Sequence, residues 1–147
     1  MEIEKIGESA PIPLPSGDRP LTGLRVLDFA HVLAGPVTSR MLAEQGADVL
    51  RITGPGHHDG WDTALDTGVG KRSADLDLEV LADVERAKEL MRSADVFVQS
   101  WRPGSLDRRG FSPEELSELR PGLIYVSVSA YGSGGPWAER GGFNQVG

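Results

Sequence analysis

The chain has 147 residues, a formal net charge of -7, 39% hydrophobic and 25% charged residues, and no cysteine. Its length fits one domain or a piece of a larger one, and its balance of residues is that of an ordinary soluble globular protein. The acidity argues against nucleic acid or an anionic membrane as main partner. The missing cysteine excludes disulfides, thiolate chemistry and cysteine-based metal sites. Three histidines, two of them adjacent at His57 and His58, do not make a dedicated zinc site, so no metal is expected. No run approaches the roughly 20 apolar residues of a membrane helix. The N-terminus lacks a basic-then-apolar leader pattern, which makes cytoplasmic residence the expectation.

Residues 1–20 carry Pro11, Pro13, Pro15 and Pro20 without any apolar period, and read as an N-terminal arm or tail, extended where proline dictates or disordered. Arg25 to Phe29 reads as a strand. Val37 to Gln45 reads as a helix, with Met41 and Leu42 on one side and Ser39, Arg40 and Glu44 on the other, closed by Gly46. Asp48 to Ile52 comes next as a second strand, completing a βαβ unit with a right-handed crossover. Thr53 to Gly70 reads as a long loop. Lys71 to Leu78 alternates, with Ala74, Leu76 and Leu78 on one side, and predicts a half-buried strand.

Val80 to Arg92 has Leu81, Val84, Ala87, Leu90 and Met91 at helical spacing. Val96 to Gln99 predicts a short buried strand, Ser100 to Gly104 a turn, and Leu106 to Arg109 a helical turn ended by Gly110. Ser112-Pro113-Glu114-Glu115 is a capping box opening a helix to about Leu119. Ile124 to Val128 gives the last strand, before a glycine-rich stretch from Gly132 to Gly142. The order β-α-β-β-α-β-α-β predicts an α/β fold with a mainly parallel sheet and flanking helices. No helix comes after the last strand to cover it, as expected of a partial chain.

In open parallel sheets, ligands bind beyond the carboxyl ends of the strands. After the first strand that loop is Ala30 to Pro36. It matches neither the G-x-G-x-x-G dinucleotide fingerprint nor the P-loop, so a plain NAD or ATP site is not expected there. Gly35 removes a side chain where a ligand would approach the backbone. His31 is either an acid-base group or a structural loop histidine. Asp28 is expected to accept main-chain N–H bonds in the adjoining turn. Asp59, Asp62 and Asp66 match no metal-binding pattern and read as solvated. Lys71-Arg72-Ser73 and Ser100-Trp101-Arg102-Pro103-Gly104 set cations and an aromatic at strand ends, which fits an anionic ligand with a flat ring. Ordinary surface arginines with a packed tryptophan remain the alternative. Tyr131 to Pro136 reads either as a backbone cradle for a ligand or as a plain connection.

Taken together, these pieces resemble the N-terminal part of the class III CoA-transferase family, which includes formyl-CoA transferase, carnitine CoA-transferase and alpha-methylacyl-CoA racemase. The resemblance is carried in order by Leu21 to Phe29, Leu33-Ala34-Gly35-Pro36, Leu42 to Ile52, Gly70-Lys71-Arg72-Ser73, Leu76-Asp77-Leu78, Ala94 to Val98, Arg102-Pro103-Gly104, Ile124 to Gly132 and Gly134-Gly135-Pro136. It is the ordered set, not any one motif, that is specific, and it covers nearly everything after Pro20.

The resemblance implies that residues 21–147 are the N-terminal part of a Rossmann-like, CoA-binding large domain whose sheet is completed by the far C-terminal part of the family chain. It implies acyl-CoA and a carboxylate acceptor as substrates and an interlocked homodimer, or a partner chain that supplies the missing half. His31, Val32 and Leu33 are expected at the thioester end of the substrate. Arg72, Ser100, Trp101, Arg102 and Arg108 are expected to contact the adenine and phosphates of coenzyme A. The family's transferases use an aspartate nucleophile that forms a mixed anhydride and then an aspartyl-CoA thioester. Its place falls beyond Gly147, so this chain alone is expected to be inactive.

Several positions depart from the family pattern. Phe143 and Asn144 stand where the racemase branch has a histidine and an acid, which argues against a racemase. Leu33 stands where formyl-CoA transferase has glutamine, which argues against an oxalate-type acceptor. Thr53 and Gly54 replace a common Glu-Arg pair, and the loop before Lys71 is shorter than in familiar members. A non-catalytic CoA-binding or assembly subunit is the alternative from a different functional class.

Overall fold

The structure, a computed structural model, describes residues 2–55 and 60–142. His57, His58, Asp59, Phe143 and Asn144 lie outside the described residues.

Five strands form one parallel sheet: β1 (Arg25–Phe29), β2 (Asp48–Thr53), β3 (Arg72–Asp75), β4 (Val96–Gln99) and β5 (Ile124–Ser127). Their spatial order is β3-β2-β1-β4-β5, with Val26 beside Val49 on one flank and Val96 on the other. The helices are α1 (Ala34–Glu44), α2 (Trp61–Thr67), α3 (Leu81–Met91) and α4 (Pro113–Leu119), with a 3₁₀ turn at Asp107–Arg109. The order reverses between β1 and β4. Chain leaving β1 turns toward α1 and β2, and chain leaving β4 turns toward β5, so a crevice opens above the carboxyl ends at that seam.

Strand periodicity sorts the core into two layers. Leu27 and Phe29 face α3 and α4, packing with Ile52, Leu76, Ala87, Met91, Phe97, Phe111 and Leu116. Val26 and Ala30 face α1, with Ala43, Ala47, Val49, Val96 and Val98. Asp28 points to this second layer and is completely buried. Its Oδ1 accepts the Ala30 N–H at 2.9 Å, the turn role expected of it. Its Oδ2 accepts the Ser39 hydroxyl at 2.5 Å and Lys71 Nζ at 2.9 Å. Lys71 Nζ also donates to the Pro36 carbonyl and Ser39 Oγ, both at 2.8 Å. The side chains of Lys71 and Asp28 are 1% and 0% exposed.

This ion pair explains one difference from the sequence reading. Ser39 is buried and Met41 is 60% exposed, the reverse of the side assignment for that helix. The Ser39 hydroxyl is held by a charge inside, while Met41 is left to solvent. α1 also begins three residues earlier than expected, at Ala34, because Pro36 falls in the first turn, where no amide hydrogen is required.

α2 occupies part of the stretch read as a long loop. It is only seven residues long and its Leu65 is 56% exposed; Thr67 Oγ1 donates to the Thr63 carbonyl (2.8 Å), and Arg40 on α1 bonds Asp66 (2.7 Å). β3 stops at Asp75, short of the expected Leu78. The α4 capping box forms as expected, with the Glu115 N–H donating to Ser112 Oγ at 3.2 Å. Residues 2–17 have no helix or strand, but the arm touches the body: Pro15 lies against Gly23 and Ser9 against Gly122.

Gly35 is required for a reason other than ligand approach. A Cβ there would lie 2.4 Å from the Ala30 methyl and 3.3 Å from Ser100 Cβ, so its absence lets α1 sit directly on the seam between β1 and β4. Gly35→Ala is expected to cost about 1–3 kcal/mol of stability, read as a lower urea midpoint at unchanged slope. Lys71→Met leaves the Asp28 carboxylate buried without its cation and is expected to cost about 3–5 kcal/mol, whereas Asp28→Leu combined with Lys71→Met recovers much of that loss. A single variant as stable as the parent would show that the pair contributes no such constraint.

Candidate functional site

The crevice is built first by two loop segments. The His31 N–H donates to Ser100 Oγ at 2.8 Å, and the Ser100 hydroxyl lies 3.2 Å from the His31 carbonyl, so the loops after β1 and β4 are locked together. Trp101 Nε1 donates to the Phe29 carbonyl at 3.0 Å, laying the indole across the ends of β1 and β4. The His31 and Trp101 ring centres are 5.4 Å apart at 58°. Val32 holds a left-handed backbone, φ 67°, in this loop; for a β-branched residue that conformation is strained and is typical of functional loops. It leaves the Val32 and Leu33 side chains 38% and 40% exposed at the crevice.

Gln99, 5% exposed, sets the position of Trp101. Its Oε1 accepts the Trp101 main-chain N–H at 2.7 Å, so its Nε2 must face the other way and donate. That nitrogen reaches Ser127 Oγ at 2.8 Å and Tyr125 Oη at 3.4 Å. The amide thus couples the loop after β4 to the carboxyl end of β5. Burial first, and then the negative charge of Asp107, push the Tyr125 phenol up to about 12.

Beside Trp101 opens a small cleft of about 60 Å³, widening into solvent at its mouth. One wall is Phe29, His31 and Trp101; the floor is Ile52, Thr53, Gly54 and Pro55 after β2; the far wall is Leu76 to Glu79 after β3. The close approach of floor and far wall depends on Gly54, where a Cβ would meet the Leu76 carbonyl at 2.5 Å. The far wall is ordered by Asp77, whose Oδ1 accepts the Glu79 N–H and whose own N–H donates to Asp83, both at 2.9 Å. The mix of an indole face, aliphatic side chains and main-chain groups suits a flat, polar-edged ring.

Of the residues singled out from sequence, His31, Val32, Leu33, Ser100 and Trp101 meet at this seam. Arg102 comes directly after them, exposed and against Gly141, and Arg108 is exposed on the 3₁₀ turn. Arg72 is not brought to them. It begins β3 at the amino end of the sheet, where its guanidinium bonds both carboxylate oxygens of Asp48 at 2.6–2.7 Å. Its neighbour Lys71 is committed to Asp28. The Arg72 guanidinium is thus held at the amino-terminal side of the sheet, whereas the Lys71 ammonium reaches up to the first turn of α1. Two groups were missed. Leu76 to Glu79 looked like strand because the alternation of Ala74, Leu76 and Leu78 runs past the true end of β3. Arg109, rather than Arg108, covers Trp101, with its guanidinium carbon 5.6 Å from the ring centre.

Residues 21–147 match the model of CoA-transferase family III. The chain belongs to this family. Among relatives, it is 41% identical over 135 residues to the acetyl-coenzyme A transferase nodX of Hypoxylon pulicicidum, covering 89% of this chain and 23% of that protein. It is 39% identical over 131 residues to acetyl-CoA:oxalate CoA-transferase of Acetobacter aceti, covering 82% of this chain and 34% of that protein. The crystal structure of a CAIB/BAIF family protein from Brucella suis superposes with a TM-score of 0.79 at 32% identity, covering 88% of this chain and 38% of that one. The chain therefore spans between about a quarter and two-fifths of the length of these family III relatives.

Because the unfolded-state phenol titrates near 10, the raised Tyr125 value means the folded state keeps its proton longer. Its stability is expected to be full below about pH 10 and to decline up to about pH 12. Tyr125→Phe should flatten that part of a stability-against-pH curve; an unchanged slope would assign the decline to other groups.

Proposed function

We propose that this chain is the CoA-binding N-terminal portion of an acyl-CoA:carboxylate CoA-transferase. The observation that carries this reading is the cleft at the β1–β4 seam, with Trp101 fixed across it, in a chain of CoA-transferase family III. The indole and the apolar floor accept the adenine ring of coenzyme A, and the exposed Arg102 and Arg108 beside it take its phosphates. Val32 and Leu33, held outward by the strained turn, line the path of the thioester arm. Arg72 is left out, since its end of the sheet faces away.

In this reading the chain's own residues bind and orient coenzyme A. The thioester is attacked by an aspartate supplied from sequence beyond Gly147, giving a mixed anhydride and then an aspartyl thioester that passes coenzyme A to the acceptor carboxylate. Two copies of the full-length protein interlock as a dimer. A non-catalytic CoA-binding or assembly subunit is the second reading. The similarity to the beta subunit of the succinyl-CoA:L-malate CoA-transferase of Chloroflexus aurantiacus, 37% identical over 139 residues, favours keeping it, since that relative is itself one subunit of an enzyme.

Isothermal titration of the purified chain with coenzyme A should show binding that Trp101→Ala weakens by about tenfold or more. Equal affinities would remove Trp101 from the site. The same purified chain, given acyl-CoA and carboxylates, should show no turnover; measurable transfer would refute the placement of the nucleophile outside it.

A further inference from the structure

An ion pair that the proposed function leaves unexplained runs from the far wall of the cleft to a cation beside Trp101. Glu79, on the far wall, bonds the Arg109 guanidinium, which belongs to the 3₁₀ turn on the Trp101 side. Arg109 Nη1 also donates to the Ser105 carbonyl at 2.9 Å, and the guanidinium carbon lies 5.6 Å from the centre of the Trp101 ring. These contacts together fix the cation beside the surface that a ligand ring would occupy. The Glu79 side chain, in contrast, is 75% exposed, against 25% for Arg109. The pair is asymmetric, with a well-seated cation and a solvated, replaceable anion. Exposed ion pairs contribute little to stability, so exchanging this carboxylate for a better anion is cheap. A phosphate monoester is a better anion, because it carries about −1.5 to −2 charge on three acceptor oxygens where a carboxylate carries one on two.

We infer that Arg109 reads a phosphate monoester at the mouth of the cleft and that Glu79 holds its place when the ligand is absent. The inference rests on the reading of the cleft as a coenzyme A site. It assigns to Arg109 the ribose 3′-phosphate, the monoester next to the adenine ring. The guanidinium stays over Trp101 and changes partner from Glu79 to phosphate. Arg109 is thus a specificity residue, separating coenzyme A from its 3′-dephospho form.

Titrations of the purified chain with coenzyme A and with 3′-dephospho-CoA test this. The unsubstituted protein should prefer coenzyme A. Arg109→Gln should weaken coenzyme A about 10–100-fold while leaving 3′-dephospho-CoA within about twofold, so that the preference collapses. Glu79→Gln removes the competitor and should tighten coenzyme A about threefold or more, with 3′-dephospho-CoA unmoved. Arg109→Lys should restore part of the preference. Equal weakening of both ligands by Arg109→Gln overturns the assignment, because it would place the residue on the diphosphate or in the fold. Weaker coenzyme A binding by Glu79→Gln overturns it as well. Absence of binding of either ligand to the unsubstituted protein overturns the coenzyme A reading itself, and this inference with it.

Discussion

The fold depends on a charge placed where charges are costly. Asp28 lies within the central strand, completely buried, and bonds the Ala30 N–H, the Ser39 hydroxyl and the Lys71 ammonium. Lys71 enters from the chain just before β3, crosses under α1, and joins the carboxylate to Ser39 and the Pro36 carbonyl. One buried cation thereby links the central strand, the first turn of α1 and the start of the edge strand. A pair this deep gains little net stability over an apolar replacement, since desolvation offsets the attraction. Its effect here is to fix one register: Lys71 can be satisfied only if β3 begins where it does and α1 sits where Ser39 faces inward.

That arrangement sets the binding end of the sheet. With α1 seated on the seam, the loops after β1 and β4 are brought within hydrogen-bonding distance, and Ser100 and Trp101 become fixtures of the crevice. Gln99 extends the same order to β5 through one side-chain amide. The cleft is therefore assembled from four strand ends, and its components lie far apart in the chain. The chain belongs to CoA-transferase family III, and the relatives it matches are between about two and a half and four times as long.

Much of this was legible in the residues. Short β-branched runs separated by amphipathic stretches predicted the parallel sheet, and the capping box at Ser112 marked α4 to the residue. Ser100 and Trp101 could be placed at the β1–β4 seam because they come directly after a buried strand. A cationic residue beside a strand looks alike at either end, and only the polarity of β3 sets Arg72 on the amino side, bonded to Asp48. Ser39 and Met41 were exchanged for a related reason. Periodicity ranks a side chain by its polarity, and a serine bonded to a buried carboxylate is interior despite it. α2 escaped notice because it is only seven residues long and sits in a stretch rich in glycine, aspartate and histidine.

The missing side chain at Gly35 has a consequence for how the cleft adapts. At Gly35 the α1 backbone meets the Ala30 methyl and Ser100 Cβ directly, which leaves the β1 side little slack at that point. The β3 side is the opposite, a turn ending in a solvated carboxylate. Any ligand seated at this seam would therefore meet a close-packed jaw on one side and a solvent-facing one on the other.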